Sequence, residues 1–156
     1  MRLPYFTALC ALFLSLTGTQ AQAMPTRSPA DIQQVKCMAD NVYYEARNQS
    51  DKGMIAVSNV VMNRTHDTRF ASTPCGVVKQ KKHRTCQFSW VCEHHRQPVD
   101  LDLYERGRRL AEGVYFHRIP DITHGAIFYH AYYDKPMWSR RFAKVAYIGA
   151  HIFYRG

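Results

Sequence analysis

Val35-Lys36-Cys37-Met38-Ala39-Asp40-Asn41-Val42-Tyr43-Tyr44-Glu45-Ala46-Arg47, joined by Asn48-Gln49-Ser50-Asp51 to Lys52-Gly53-Met54-Ile55-Ala56-Val57-Ser58-Asn59-Val60-Val61-Met62-Asn63-Arg64-Thr65, is the stretch that decides the fold. Val35, Met38, Ala39, Val42 and Ala46 recur at helical spacing, which predicts a first helix from Ala30 to about Arg47 with Asp31 in its first turn. The Asn-Gln-Ser-Asp segment supplies turn and capping chemistry. Beyond it, Met54, Ile55, Val57, Val60, Val61 and Met62 fall around much of a helix circumference, so the second helix, Lys52 to about Thr65, is expected to be buried.

Working outward, Thr73-Pro74 reads as an N-cap followed by proline at the first helical position, opening a short helix through Val77 and Val78. Residues 79–98, which begin Lys-Gln-Lys-Lys-His-Arg and hold Cys86 and Cys92, read as a cross-linked loop region. Asp100 to about Gly113 is a further helix, with Gly113 as its stop. His124 to Tyr133 and Phe142 to Tyr154 are rich in Ile, Val, Phe and Tyr, and Asp134-Lys135-Pro136 can turn the chain between them. The expected class is α+β, mostly helical, closed by a small antiparallel sheet near the C-terminus.

The 156 residues have the composition of one globular domain, with 46% hydrophobic and 21% charged residues. That balance excludes a disordered chain. Arg2, the apolar run Leu3 to Leu16 and Ala21-Gln22-Ala23 read as a secretory signal peptide over residues 1–23, and 24–30, with Pro25 and Pro29, as a short tether before a domain at 31–156. Removing the leader takes away one cation, Arg2, so the exported chain stays strongly basic and favours an anionic partner such as a bacterial wall polymer or envelope surface. Export argues against nucleic acid, and nothing names an activating protein. Cys37, Cys75, Cys86 and Cys92 remain, an even number in an oxidising compartment, which predicts two disulfides among three pairings.

Glu45 is the carboxylate singled out as catalytic. On a helical wheel it lies about 60 to 80° from the centre of the apolar stripe, beside Tyr43 and Tyr44. A carboxyl there is partly desolvated, which raises its pKa and lets it stay protonated as a general acid. Periodicity alone assigns it instead to the majority of solvated helical glutamates.

The surrounding strings change that balance. Tyr43-Tyr44-Glu45-Ala46-Arg47, Gly53-Met54-Ile55-Ala56-Val57 and Val60-Val61-Met62-Asn63-Arg64, then Cys75-Gly76-Val77-Val78, Cys86-Gln87-Phe88-Ser89-Trp90 with Cys92, Thr123-His124-Gly125-Ala126 with Tyr129-His130, and Ile148 to Tyr154 closely resemble the SleB-type cell wall hydrolase family. The resemblance runs over residues 35–155. It implies a lysozyme-like, lytic-transglycosylase-like domain that cleaves peptidoglycan glycan strands between muramic acid and N-acetylglucosamine, with Glu45 as the acid. Where family members commonly read E-A-R-G-E, this chain reads Glu45-Ala46-Arg47-Asn48-Gln49. The lost carboxylate favours transglycosylation, in which the muramic acid C6 hydroxyl attacks the anomeric carbon, over hydrolysis with two carboxyl groups. A hydrolytic muramidase or glucosaminidase and a non-catalytic basic wall-binding protein are the competing functions.

Gln87, Ser89, Trp90 and Tyr129, with Trp138, have the makings of a sugar-binding groove: aromatic faces stack on pyranose rings, and amides and hydroxyls bond to acetamido groups. The simpler reading packs Phe88 and Trp90 into the core. His130 is carried as a groove histidine, although a histidine among strand aromatics is more often a hydrogen-bonded structural residue. A zinc site built from Cys86, Cys92, His94 and His95 with His124, His130 and His151 lacks the H-E-x-x-H or paired C-x-x-C spacing, so no metal or cofactor is expected. Lys79, Lys81, Lys82, His83 and Arg84 read as a solvated basic loop that attracts wall carboxylates or phosphates.

Overall fold

The computed structural model describes residues 27–93 and 97–156, so the expected leader at 1–23 lies outside the described residues. Helix α1 (Pro29–Ala46) begins inside the stretch read as a tether, because Ser28 closes a capping box with Asp31. The Ser28 Oγ accepts the Asp31 N–H at 3.1 Å, a cap that contributes about 1 kcal/mol. Helices α2 (Asp51–Thr65) and α3 (Pro74–Lys79) follow, the latter capped by Thr73, whose Oγ1 accepts the Gly76 N–H at 3.2 Å.

The region read as a cross-linked loop holds a two-residue hairpin, β1 (Lys81–Lys82) and β2 (Thr85–Cys86), and a short helix α4 (Ser89–Cys92). Cys86–Cys92 closes this loop, while Cys37–Cys75 ties α1 to α3. Helix α5 (Leu101–Tyr115), capped by Asp100, packs against α1 and α2.

Gly113 does not stop α5, contrary to the expectation from its position. The helix runs on to Tyr115, and Ile119 folds back onto Gly113, where a β-carbon would lie 2.6 Å from its Cδ1. The end is set instead by His117 in the left-handed region (φ 54°) and by the Arg118 and Ile119 N–H groups donating to the Gly113 carbonyl at 2.8 and 3.0 Å.

Two apolar clusters explain why α2 is buried nearly all round. Met54, Val57 and Val61 meet Met38, Val42 and Ala46 of α1, Val77 and Val78 of α3, Ala111 and Val114 of α5, and Phe88. On its other side, Ala56 and Val60 meet Ala126 and Phe153. Polar side chains of α2 tie down the segment leading into the sheet: Asn59 Oδ1 accepts the Ile122 N–H at 3.2 Å, and Asn63 Nδ2 donates to the Ala126 carbonyl at 3.0 Å.

The sheet has three antiparallel strands in the order β3 (Phe128–Ala131), β5 (His151–Arg155), β4 (Ala143–Ile148). The second apolar segment splits at Gly149 into two strands, and Asp134-Lys135-Pro136 opens a longer connection through a 3₁₀ turn at Met137–Arg140 instead of a tight hairpin. Gly149 has φ +58°, and a β-carbon there would sit 2.6 Å from Gln49 Oε1. The Gln49 carbonyl oxygen accepts the Ala150 N–H at 3.0 Å, fastening the β4–β5 turn to the α1–α2 junction.

Candidate active site

Glu45 stands in the last turn of α1, half-buried. Because β3 is anchored to α2 through the Ala126 and Ile127 carbonyls, Tyr129 on β3 comes to face it, and the Tyr129 hydroxyl donates to Glu45 Oε2 at 3.0 Å. Beside this pair lies Arg64 from the end of α2, only 4% exposed. Its Nε donates to the Ile127 carbonyl at 2.8 Å, and its guanidinium lies 4.9 Å from the Phe70 ring centre and 5.3 Å from that of Phe88. Its Nη1 is buried and has no hydrogen-bond partner among the described residues.

Burial dominates the electrostatics. It pushes the Glu45 carboxyl above its ordinary range, opposed by the Tyr129 hydrogen bond and the Arg64 charge and assisted by the negative charge of Glu93. Burial also brings Arg64 down to about 10. The Tyr129 hydroxyl, desolvated and facing a carboxylate, is pushed far up, so it remains a donor and does not compete as an acid. The result is a carboxyl biased toward its protonated form, yet with one hydrogen-bond donor and one buried cation ready to receive its anion.

A cleft opens in front of Glu45. Its central compartment, 630 Å³, has Arg64 and Tyr129 at its base, Gln87, Phe88 and Ser89 from the Cys86–Cys92 loop on one wall, and Phe128, Trp138 and Phe142 on the other. The Phe128 and Phe142 rings stack at 4.5 Å, giving that wall a flat aromatic face. A second compartment of 560 Å³ shares Glu45, Tyr129 and Trp138 and continues to His130, Asp134 and Lys135.

Of the residues selected from sequence, Gln87, Ser89 and Tyr129 line the central compartment with Glu45, as does Trp138. Trp90 does not line it: the indole stacks on Tyr44 at 4.6 Å and its Nε1–H donates to Asn41 Oδ1 at 3.1 Å, pinning α4 to α1. His130 borders the second compartment with both ring nitrogens engaged. Nδ1 lies 2.8 Å from the Ala131 carbonyl, which can only accept, so Nδ1 donates there, and Nε2 lies 2.9 Å from the Tyr154 hydroxyl. Asp121 closes a turn, accepting from the Thr123 and Gly125 N–H groups at 2.7 Å each. The four cysteines among the described residues are all in disulfides, so none of them is a thiolate ligand. Arg64, Phe128 and Phe142 were not singled out by sequence reasoning; Arg64 stood within a quoted motif, at the end of a helix already read as buried.

A family model for cell wall hydrolases matches residues 48–154. The catalytic domain of the germination-specific lytic transglycosylase SleB from Bacillus anthracis is similar in fold, with a TM-score of 0.64 at 24% identity over 85% of this chain and 100% of that one. The catalytic domain of the Bacillus cereus SleB protein gives a TM-score of 0.61 at 23% identity, covering 88% of this chain and 100% of that one. No curated protein sequence matches the chain. The structural likeness carries the fold shared with these SleB catalytic domains, and the family match takes in every element from α2 to the last strand, with the cleft walls between them. On that match the chain belongs to the cell wall hydrolase family.

Proposed function

We propose that this cell wall hydrolase is exported and cuts the glycan strand of peptidoglycan between muramic acid and N-acetylglucosamine as a lytic transglycosylase, with Glu45 as its acid and then its base. The observation that carries the reading is the Glu45–Tyr129–Arg64 cluster on the floor of an aromatic-walled cleft. Protonated Glu45 delivers its proton to the glycosidic oxygen as the bond to the anomeric carbon breaks. The carboxylate so formed is held by the Tyr129 hydroxyl and the Arg64 charge. It then takes the proton of the muramic acid C6 hydroxyl as that oxygen bonds to the anomeric carbon, leaving a 1,6-anhydromuramic end and a restored Glu45. An internal hydroxyl held near the reacting carbon has an effective concentration of ~10⁵ M or more, far above that of bulk water.

Gln87 and Ser89 on one wall, and Trp138 with the stacked Phe128–Phe142 pair on the other, suit acetamido groups and pyranose faces respectively. Two disulfides fit an oxidising compartment, and among the described residues no helix is long and apolar enough to cross a membrane. The catalytic domain is read as 31–156, behind a cleaved leader at 1–23.

Hydrolysis is the second reading, favoured by one observation: Asp134 borders the compartment that shares Glu45 and Tyr129 and could activate a water there. Digestion of sacculi in oxygen-18 water separates the two. Transglycosylation leaves anhydromuramic ends with no heavy label on new sugar termini and is insensitive to Asp134→Asn. Labelled reducing ends that Asp134→Asn abolishes would establish hydrolysis instead.

A further inference from the structure

Past Gln87 and Phe128, which line both, the cleft continues into a third compartment of 620 Å³ between the Arg69–Phe70 segment and the β1–β2 hairpin. This end of the cleft differs from the rest in charge. Between Asp67 and Glu93 the chain carries five Lys and Arg residues and no carboxylate. Arg69 is already engaged, paired with Asp67 at 2.7 Å and donating to the Gly156 carbonyl at 2.7 Å. Lys81, Lys82 and Arg84 are exposed and enter no ion pair among the described residues, and Lys82 and His83 border the compartment directly.

The hairpin is held in place rather than dangling. Gln80 at its base donates Nε2–H to the Arg69 carbonyl at 3.1 Å and accepts the Ala71 N–H at 3.0 Å. Its far strand ends at Cys86, tied to Cys92. Its cations are therefore presented at a set position along the cleft, and the field they create falls on whatever projects from a strand lying there.

Resting on the reading of the cleft as a glycan-strand site, we propose that this third compartment and its hairpin form a subsite for the carboxylates of the stem peptide carried by muramic acid. In a peptide-substituted strand the glycan backbone offers the hairpin no charge, because each lactyl carboxyl is bound in the amide to its peptide. The peptides that branch from every second sugar carry free carboxylates along and at the end of their length, which match an exposed cationic lip joined to the sugar groove. The site thus selects peptide-substituted strands over bare glycan.

The test measures binding with the Glu45→Gln protein, so that it does not depend on cleavage. Three soluble strand preparations serve as probes: intact, stripped of peptides by an amidase with the lactyl carboxylates this exposes then capped as neutral amides, and intact with carboxylates converted to neutral amides. Two exposed ion pairs supply roughly a three- to tenfold preference for intact strands over the other two, fading as salt screens it. Lys82→Ala with Arg84→Ala should bring that preference to about one, and Lys82→Arg should keep it. Equal affinity for intact and amidated strands, or a preference that survives the double substitution, overturns the proposal. Competition by a phosphate-rich wall polymer that the double variant escapes, with no preference among strands, assigns the hairpin to that polymer and also overturns it. A preference found in a protein whose wild type releases no products keeps the subsite while refuting the lytic function.

Discussion

Replacing Tyr129 by Phe removes a single oxygen, and the consequence can be worked from the site. The ring stays packed against Phe153 and His151, at 5.6 and 5.3 Å between centres, so the strand keeps its place. What disappears is the 3.0 Å hydrogen bond to Glu45 Oε2. A donor to a carboxylate is worth about 1.5 to 3 kcal/mol, and this bond is strongest once Glu45 has given up its proton, which is the condition it approaches in the transition state. Turnover should therefore fall about 10- to 150-fold with little change in KM. The sign of the accompanying pH effect is also determined. The hydrogen bond lowers the Glu45 pKa against the dominant effect of burial, so its loss must raise that pKa. Because the protonated carboxyl is the active form, the alkaline limb of the kcat/KM profile should move to higher pH. Initial rates of muropeptide release across the pH range, for wild type and Tyr129→Phe, read both effects. Turnover within twofold of wild type, or an alkaline limb that stays in place or moves to lower pH, refutes the role given to Tyr129 and with it the proton economy of the site.

Glu45→Gln should lower turnover by about 10² to 10⁴, since the amide cannot deliver a proton, with wall clearance as the assay. The same variant should gain stability in urea above the ordinary carboxylate range and lose the gain below it: burial raises the folded-state pKa of Glu45, so ionising it penalises the fold, and Gln removes that penalty. The disulfides should separate stability from activity. Loop-closure entropy assigns about 4 kcal/mol to Cys37–Cys75, with sequence separation 38, and about 2 kcal/mol to Cys86–Cys92, with separation 6. Replacing both cysteines of each bridge by Ser should therefore cost more unfolding free energy in the first pair and more turnover in the second, whose loop carries Gln87, Phe88 and Ser89. Gly149→Ala should destabilise by about 1 to 3 kcal/mol, through its positive φ and the crowding of Gln49, as thermal unfolding would show.

The helices were legible because their signals are local. Apolar spacing and the Thr73 cap lie within a few residues of the structure they specify, and the burial of α2 follows from apolar residues around its circumference. Glu45 was legible for a related reason: its place at the edge of the α1 stripe decides its partial desolvation, and the motif around it decides which of many helical glutamates to choose. The strands were placed only roughly, since pairing depends on segments far apart, and the left-handed Gly149 that divides β4 from β5 is accommodated against Gln49, about a hundred residues away in sequence. Trp90 and Phe128 were indistinguishable as aromatics. Packing alone sent one onto Tyr44 and the other into the wall of the central compartment. Likewise, periodicity cannot say that Arg64 is a buried cation or that it faces Glu45, because the energy of a charge inside a protein depends on every group packed around it. By itself, then, the sequence determined the helical scaffold, the place of Glu45 at the edge of the α1 stripe and the supply of four cysteines beyond residue 30. Only the tertiary structure decided the disulfide pairing, the Tyr129 hydrogen bond, the burial of the Arg64 charge and the place of the basic hairpin at one end of the cleft, since each depends on how separate elements pack.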